Sequence, residues 1–313
     1  MVHRFRSFIH THRLSLVGVT FALLAAVGFS AKAILVKLAY AANDIDAPTL
    51  LALRMAFSVP FFLIAAVYAA RKGDAAPLTR QDLIAVIVLG FIGYYLSSYL
   101  DFAGLAYITA GLERLILFLY PTMTVVLSAI LFKRGITRRE TLALTLSYAG
   151  IALVFMHDVA TPGDHLLIGA GLVFASTLTY SAYLIGAGRV IARLGSLRFT
   201  AYAMLVASLA CFIQVLARHP ASVLFAQSTE VYQYSFAMAI FSTVLPVFML
   251  SAAIQRIGAA HAALIGSIGP VSTIFMAQHY LGETVTLLQI AGSGLVLSGV
   301  LAISLSKRKV GAA

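Results

Sequence analysis

AGLERLILFLYPTMTVVLSAILFKRGIT (residues 110–137) and AAHAALIGSIGPVSTIFMAQHYLGETVT (residues 259–286) align without a gap at an offset of 149. Ala110/Ala259, Leu115/Leu264, Ile116/Ile265, Pro121/Pro270, Thr124/Thr273 and Thr137/Thr286 match, and Leu146/Leu295 and Gly150/Gly299 continue the register. Apolar composition inflates identities among aliphatic residues, but it does not place a proline at the same depth of two apolar runs. An internal repeat governs the reading of the whole chain, so it precedes any assignment of single elements.

The chain has 313 residues, of which 61% are hydrophobic and 11% charged, and its mean hydropathy is +0.96. Soluble domains use roughly 45–50% apolar and about 25% charged residues, so this is a membrane protein. Crossing a bilayer takes about 20 apolar residues, and ten runs are candidates: about 14–39, 48–69, 83–106, 112–132, 141–156, 166–188, 199–217, 232–254, 260–281 and 286–306. The repeat divides them into two halves of five, 14–156 and 166–306, joined by a linker at 157–165. Five is odd, so the second half enters the membrane upside down. The expected fold is an all-α integral membrane protein with ten transmembrane helices in two inverted five-helix repeats.

The formal charge of +11 points to nucleic acid only if the basic residues form a stripe. They do not. With a cytoplasmic N-terminus, seventeen of the 22 basic residues fall on the inside, from Arg4 and Arg71 to Arg256 and Lys309, while the outside keeps Arg218. This is the positive-inside pattern, and basicity here sets topology rather than a nucleic-acid partner. The aligned Lys133-Arg134 and Gly282-Glu283 carry the charge sign that each side favours. A signal peptide loosely fits residues 1–33, but the apolar run continues to Tyr40, beyond any cleavage point. Cys211 is the single cysteine, expected to be a small buried hydrophobe. His261 and His279 have no second ligand at metal spacing, so no metal and no cofactor are expected.

Inverted repeats interrupted by proline or glycine at matching places point to a secondary transporter with a site between the halves. Pro121 and Pro270 each remove a backbone donor and release the carbonyl four residues earlier, Leu117 and Gly266, which makes both candidates for gating kinks.

YPTMTVVLSAILF in the fourth run and RIGAAHAALIGSIGPVSTIFMAQHYLGETVTLLQIAGSGLVLSGV (256–300) resemble the EamA family of the drug/metabolite transporter superfamily over roughly residues 15–306. The resemblance implies a carrier of the bacterial inner (cytoplasmic) membrane with a central cavity, usually an exporter of small metabolites. Lys37 and Arg54 resemble basic residues that many relatives carry there, whereas Lys32 matches no such position. The first half departs from the family pattern where Lys133-Arg134 replaces Gly-Glu.

Lys32, Lys37, Arg54, Arg114 and Asp101 lie within spans, with Glu113 at an edge. A charge near the bilayer centre costs about 2.5–3.5 kcal/mol on insertion scales, so each needs a partner, water or an exit. Counting along the helices puts all of them in the outer half of the membrane, where Lys37 and Arg114 are shallow enough to snorkel. Lys32 and Lys37 stand roughly 140° apart around one helix and take different roles. Asp101 is expected to pair with Lys37 or Arg54, or to couple protons. The candidate substrate-binding set is Lys32, Lys37, Arg54, Tyr94, Tyr95, Tyr99, Asp101, Tyr180 and Tyr183, with hydroxyls at Ser176, Thr177, Thr179 and Ser181 nearby. The cluster carries two surplus positive charges, which favours an anionic or zwitterionic small molecule held chiefly by Lys32 and Arg54. Membrane lipid is the other expected partner.

Three rival functions were weighed. The chain has no H-E-x-x-H, G-x-S-x-G, P-loop or complete G-x-G-x-x-G, so an enzyme lacks its chemistry. A channel is expected to show a filter or a ring of like charges, and two inverted halves favour alternating access instead. A lipid or lipid-linked headgroup flippase of the same fold stays open, because a basic outer cavity also suits a phosphate.

Overall fold

The computed structural model describes residues 2–71, 77–159 and 165–304. Residues 72–76 of the expected inner loop, 160–164 of the linker, and the tail from 305 lie outside the described residues. Apolar runs with no polar face bury or expose apolar surface all round. Without water to take up backbone groups, a helix satisfies them internally. Helix is accordingly what these runs form.

In chain order, α1 is Val2–Ala42, α2 Ala47–Arg71 and α3 Arg80–Gly90, which passes through a π turn at Phe91–Leu96 into α4, Ser97–Leu105. Next come α5 (Ala110–Leu117), α6 (Tyr120–Leu131), α7 (Arg138–Val159), α8 (Leu166–Leu194) and α9 (Ser196–Arg218). A short 3-10 turn leads to α10 (Thr229–Ala239), a π turn at Ile240–Val244, α11 (Leu245–Gly266), α12 (Gly269–Met276), a π turn at Ala277–Leu281, and α13 (Leu287–Ser304). Polar residues set the starts: a capping box of Thr79 with Asp82 opens α3, Thr109 caps α5 and Ser228 caps α10.

Among the described residues, seven helices are long and apolar enough to cross a membrane: Leu16–Ala42, Ala47–Arg71, Arg80–Leu105, Ala110–Leu131, Leu166–Leu194, Ser196–Arg218 and Thr229–Gly258. The expected spans at 141–156, 260–281 and 286–306 also fall on helix, in α7, in α11 and α12, and in α13, but these fall short of that measure. The second of them follows a break at Gly258 (φ 80°) and is interrupted before Gly269, and α13 is a shorter apolar helix.

Three irregularities of the chain recur at the offset of the repeat. The π turns start at Phe91 and at Ile240, 149 residues apart. The break between Leu117 and Tyr120 matches that between Gly266 and Gly269. Left-handed backbone occurs at Lys133 (φ 49°) and at its counterpart Gly282 (φ 67°); glycine adopts it freely, lysine at some cost.

The prolines are not kinks in continuing helices. After α5 the ladder tightens, with the Leu119 N–H donating to the Ile116 carbonyl at 3.1 Å, and Ile268 does the same to Ile265 at 3.2 Å. A new helix then starts with Pro121 or Pro270 in its first turn. The missing N–H is one that the helix start would leave unpaired anyway.

α1 lies chiefly along α11, α2 along α9, α4 along α8 and α7 along α13; α8 also receives α5 and α6, as α1 receives α12. The α7/α13 contact depends on glycine. A Cβ on Gly150 would meet the Gly292 carbonyl oxygen at 2.5 Å, and one on Gly292 the Gly150 oxygen at 2.6 Å. Two membrane helices approach that closely only through small residues.

Candidate transport site

α1 carries Ser30, Lys32 and Lys37 into the interior. The Lys32 ammonium forms an ion pair with the Asp101 carboxylate of α4, and a second with Glu113 Oε1 of α5 at 3.1 Å. Asp101 is 3% exposed and Glu113 0%.

Two expectations change here. Glu113, read from the sequence as an edge residue, is wholly enclosed, because α5 is packed against α1, α4, α7, α8 and α12. Being near a helix start does not make a residue face water. Asp101 pairs with Lys32 rather than with Lys37 or Arg54. Lys37 sits on another side of α1, where Glu283 is the carboxylate that acts on it. The two lysines do take different roles, as their spacing requires.

Arg54, on α2, is 5% exposed, and its guanidinium lies 4.8 Å from the Phe102 ring centre. Among the described residues it enters no ion pair, and its Nε is buried without a hydrogen-bond partner. Arg114, on α5, also lacks an ion pair among the described residues and has a buried Nε without a partner. Its Nη2 stands 2.7 Å from where a Cβ on Gly269 would be, so glycine makes room for the guanidinium. The shallow Arg114 therefore turns inward rather than toward headgroups. Lys32 is held by its carboxylates, whereas Lys37, Arg54 and Arg114 enter no ion pair among the described residues.

Tyr94, Tyr120, Tyr180 and Tyr183 form a continuous group. The Tyr94 and Tyr183 hydroxyls hydrogen-bond at 2.9 Å, Tyr180 stacks on Tyr183 at 5.5 Å, and Tyr120 meets Tyr180 edge-on at 5.6 Å. Tyr95 and Tyr99 stack at 6.4 Å on the other side of the π turn, with the Arg218 guanidinium 5.9 Å from the Tyr99 ring. Gly93 permits this, since a Cβ there would run into the Tyr183 ring at 2.2 Å.

The hydroxyls of α8 bridge helices. Ser176 donates to the Ser97 carbonyl at 2.7 Å and Thr177 to that of Ile116 at 3.1 Å. Ser181 shares its hydroxyl proton between the Thr177 carbonyl of its own helix at 2.7 Å and the Tyr120 carbonyl at 3.1 Å, and Ser30 of α1 shares its own between the Ala26 and Gly269 carbonyls, both at 2.8 Å. Each serine thus holds the carbonyl just before one of the paired prolines, from a helix at the start of the opposite half of the chain. Glu283 performs a third cross-contact: its carboxylate accepts from the Ala110 N–H at 2.8 Å and the Gly111 N–H at 3.3 Å. Cys211 is buried and unpaired. No group of three metal-binding side chains occurs among the described residues.

A family model described as the EamA-like transporter family matches residues 16–156 and again 167–305. The chain belongs to this family. The uncharacterized transporter YcbK of Bacillus subtilis (strain 168) is 29% identical over 303 residues, covering 96% of each chain. The uncharacterized transporter sll1319 of Synechocystis sp. is 26% identical, covering 94% of this chain and 95% of the other. A protein of known crystal structure matches with a TM-score of 0.63 at 15% identity, covering 91% of this chain and 95% of its own, a likeness of fold. An integral membrane protein of transporter type accounts for the apolar helices, and its family implies a small-molecule substrate.

Within this EamA-like chain, sequence reasoning listed Lys32, Asp101, Arg54 and the tyrosines, and the structure gathers Lys32 with Asp101 and Tyr94 with Tyr180 and Tyr183. Lys37 stands apart from the Asp101 cluster. The reading left out Glu113, Arg114, Tyr120, Ser30, Ser181 and Glu283 as site residues. For Glu113 and Arg114 the available signal was charge within an apolar repeat, and for Ser181 its place in the hydroxyl stretch of 176–183; for Ser30 there was none.

Proposed function

We propose that the chain is a secondary transporter of the bacterial inner membrane. It works by alternating access between inverted halves at 14–156 and 166–306, with both termini in the cytoplasm, and exports a small anionic or zwitterionic metabolite. The observation that carries the cargo class is the Arg54 guanidinium: 5% exposed, without an ion pair among the described residues and inside a membrane protein. A buried cation without a counter-charge is expensive, and a carboxylate or phosphate on the cargo offsets that cost. Lys32 orients the site through Asp101, and Tyr94, Tyr180 and Tyr183 shape its wall.

The two-half reading is supported by backbone breaks that recur at one offset, by the family model matching twice, and by helix pairings that map onto themselves when the halves are exchanged. Pro121 and Pro270 are the proposed gating positions, as starts of short helices whose preceding carbonyls are held by Ser181 and Ser30. One observation favours the flippase as a second reading. A groove of about 470 Å³ between the π turn at Phe91–Leu96 and α9 is lined by Phe91, Tyr95, Ile213, Gln214 and Arg218 among others, largely apolar with one cation.

Thermal unfolding of the purified protein against amino acids, organic acids, phosphorylated compounds, cationic amines and phospholipids tests this. A ligand at about 100 times its Kd adds about 2.7 kcal/mol. Stabilisation by a carboxylate or phosphate compound, lost in Arg54→Gln, is expected. Stabilisation by a cationic amine that survives Arg54→Gln would sink the reading, and stabilisation by phospholipid alone would select the flippase.

A further inference from the structure

The buried triad contains more carboxylate oxygen than its donors can satisfy. Lys32 is the ammonium shared by Asp101 and Glu113, yet Asp101 Oδ1 and both Glu113 oxygens are buried without a hydrogen-bond partner among the described residues. The Lys32 contact to Glu113 is an ion pair without hydrogen-bond geometry. With both carboxyls ionised, the three groups carry one net negative charge away from water. Two like charges sharing such a site do not both stay ionised.

The surroundings do not supply the missing donors. From its own helix Glu113 has Arg114 as a neighbour, but that guanidinium is turned toward Gly269 and pairs with neither carboxylate among the described residues. Arg54 of α2 acts on Asp101 from beyond Phe102 without an ion pair. Tyr40 of α1 stands near Asp101 but donates its hydroxyl to the Phe102 carbonyl at 2.8 Å. α8 spends Ser176 and Thr177 on backbone carbonyls, and its Tyr180 packs against the Tyr120 and Tyr183 rings. α7 meets α5 with Ile151, Val154 and Phe155, and α12 has no titratable side chain.

We propose that Asp101 and Glu113 together bind one proton, shared between their facing carboxyls and electrostatically balanced by Lys32. The proton comes from water on one side and converts one carboxylate to a carboxylic acid, whose O–H becomes the donor that the other carboxylate lacks. On release the carboxylate returns and no other bond changes. Protonated, the triad is neutral; deprotonated, it carries one negative charge and draws on the neighbouring guanidinium groups. Resting on the transporter reading above, this gives the carrier a proton-carrying group beside its cargo cations.

Infrared spectra of the purified protein in H2O and D2O test the site without any cargo. A protonated carboxyl C=O band is expected at neutral pH, shifted in D2O, bleached as pH rises, and absent from both Glu113→Gln and Asp101→Asn, because a single carboxylate beside Lys32 stays ionised. No such band in the wild-type chain at neutral pH, or a band that persists in both variants, overturns the proposal. Should a variant not fold, the wild-type titration decides alone. A wild-type band in a protein that no solute stabilises would sink the cargo reading and leave the proton site standing.

Discussion

Replacing Glu283 with alanine removes the carboxylate that holds the start of α5. The first N–H groups of a helix have no partner within it, and here those of Ala110 and Gly111 donate to Glu283 at 2.8 Å and 3.3 Å. A hydrogen bond to a charged group contributes about 1.5–3 kcal/mol. The shorter bond counts nearly in full and the longer one little, so about 2 kcal/mol is lost. At about 1.4 kcal/mol per factor of ten, local opening of this turn becomes roughly 30-fold more frequent. Amide hydrogen exchange in detergent reads this directly: protection at Ala110 and Gly111 should fall about 30-fold. Leu112, whose N–H donates to Thr109 Oγ1 at 3.2 Å, should change less. Glu283→Gln keeps an acceptor but not the charge, and a loss of about 1 kcal/mol, or roughly fivefold, is expected. Exchange at Ala110 and Gly111 that is unchanged in Glu283→Ala would refute the idea that this contact holds α5 in place.

Two further outcomes follow from the ends and breaks of the helices. The Arg134 fork, at 3.1 Å and 2.9 Å, with Thr137 behind it, holds Glu140 down to about 2, below the usual range near 4.3. A depressed carboxyl stabilises the fold fully above its unfolded value and loses that as pH falls toward its folded one. Allowing for solvent screening, the wild type should exceed Glu140→Gln by about 1 kcal/mol or less in thermal unfolding at neutral pH. That gap should close between about pH 4 and about pH 2; a gap independent of pH would remove the ion pair from the account. Pro121→Ala and Pro270→Ala loosen the backbone torsion that proline fixes in the first turn of each short helix, so yield should stay near wild type while transport slows. Transport at the original rate in both variants would leave these prolines as helix starts without a gating role.

The helical, membrane-embedded character of the fold was legible because it follows from apolar length, which is one-dimensional. The break near each proline was legible in position and not in kind, since residue identity removes a donor without saying whether the ladder bends or restarts. The site was legible in membership but not in pairing. Depth along a helix can be counted, which brought Lys32, Arg54 and Asp101 to one layer. Whether Glu113 faces an edge or five neighbouring helices depends on packing that no local pattern records. Ser181 was legible as a hydroxyl near the site but its partner was not, and Ser30 was invisible, because each serves a carbonyl more than fifty residues away.

The π turn at Phe91–Leu96 bears on Asp101 through phase. Such a turn holds one residue more than the α-helix it interrupts, and each residue advances the helix by about 100°. Everything beyond it, including Asp101 five positions after Leu96, is therefore rotated by about that angle relative to an unbroken helix counted from Arg80. Removing a single residue from the turn would swing the Asp101 carboxylate off the azimuth of Lys32 without altering any side chain of the site. The charge pairing at the centre of this molecule is thus set by a count of backbone units.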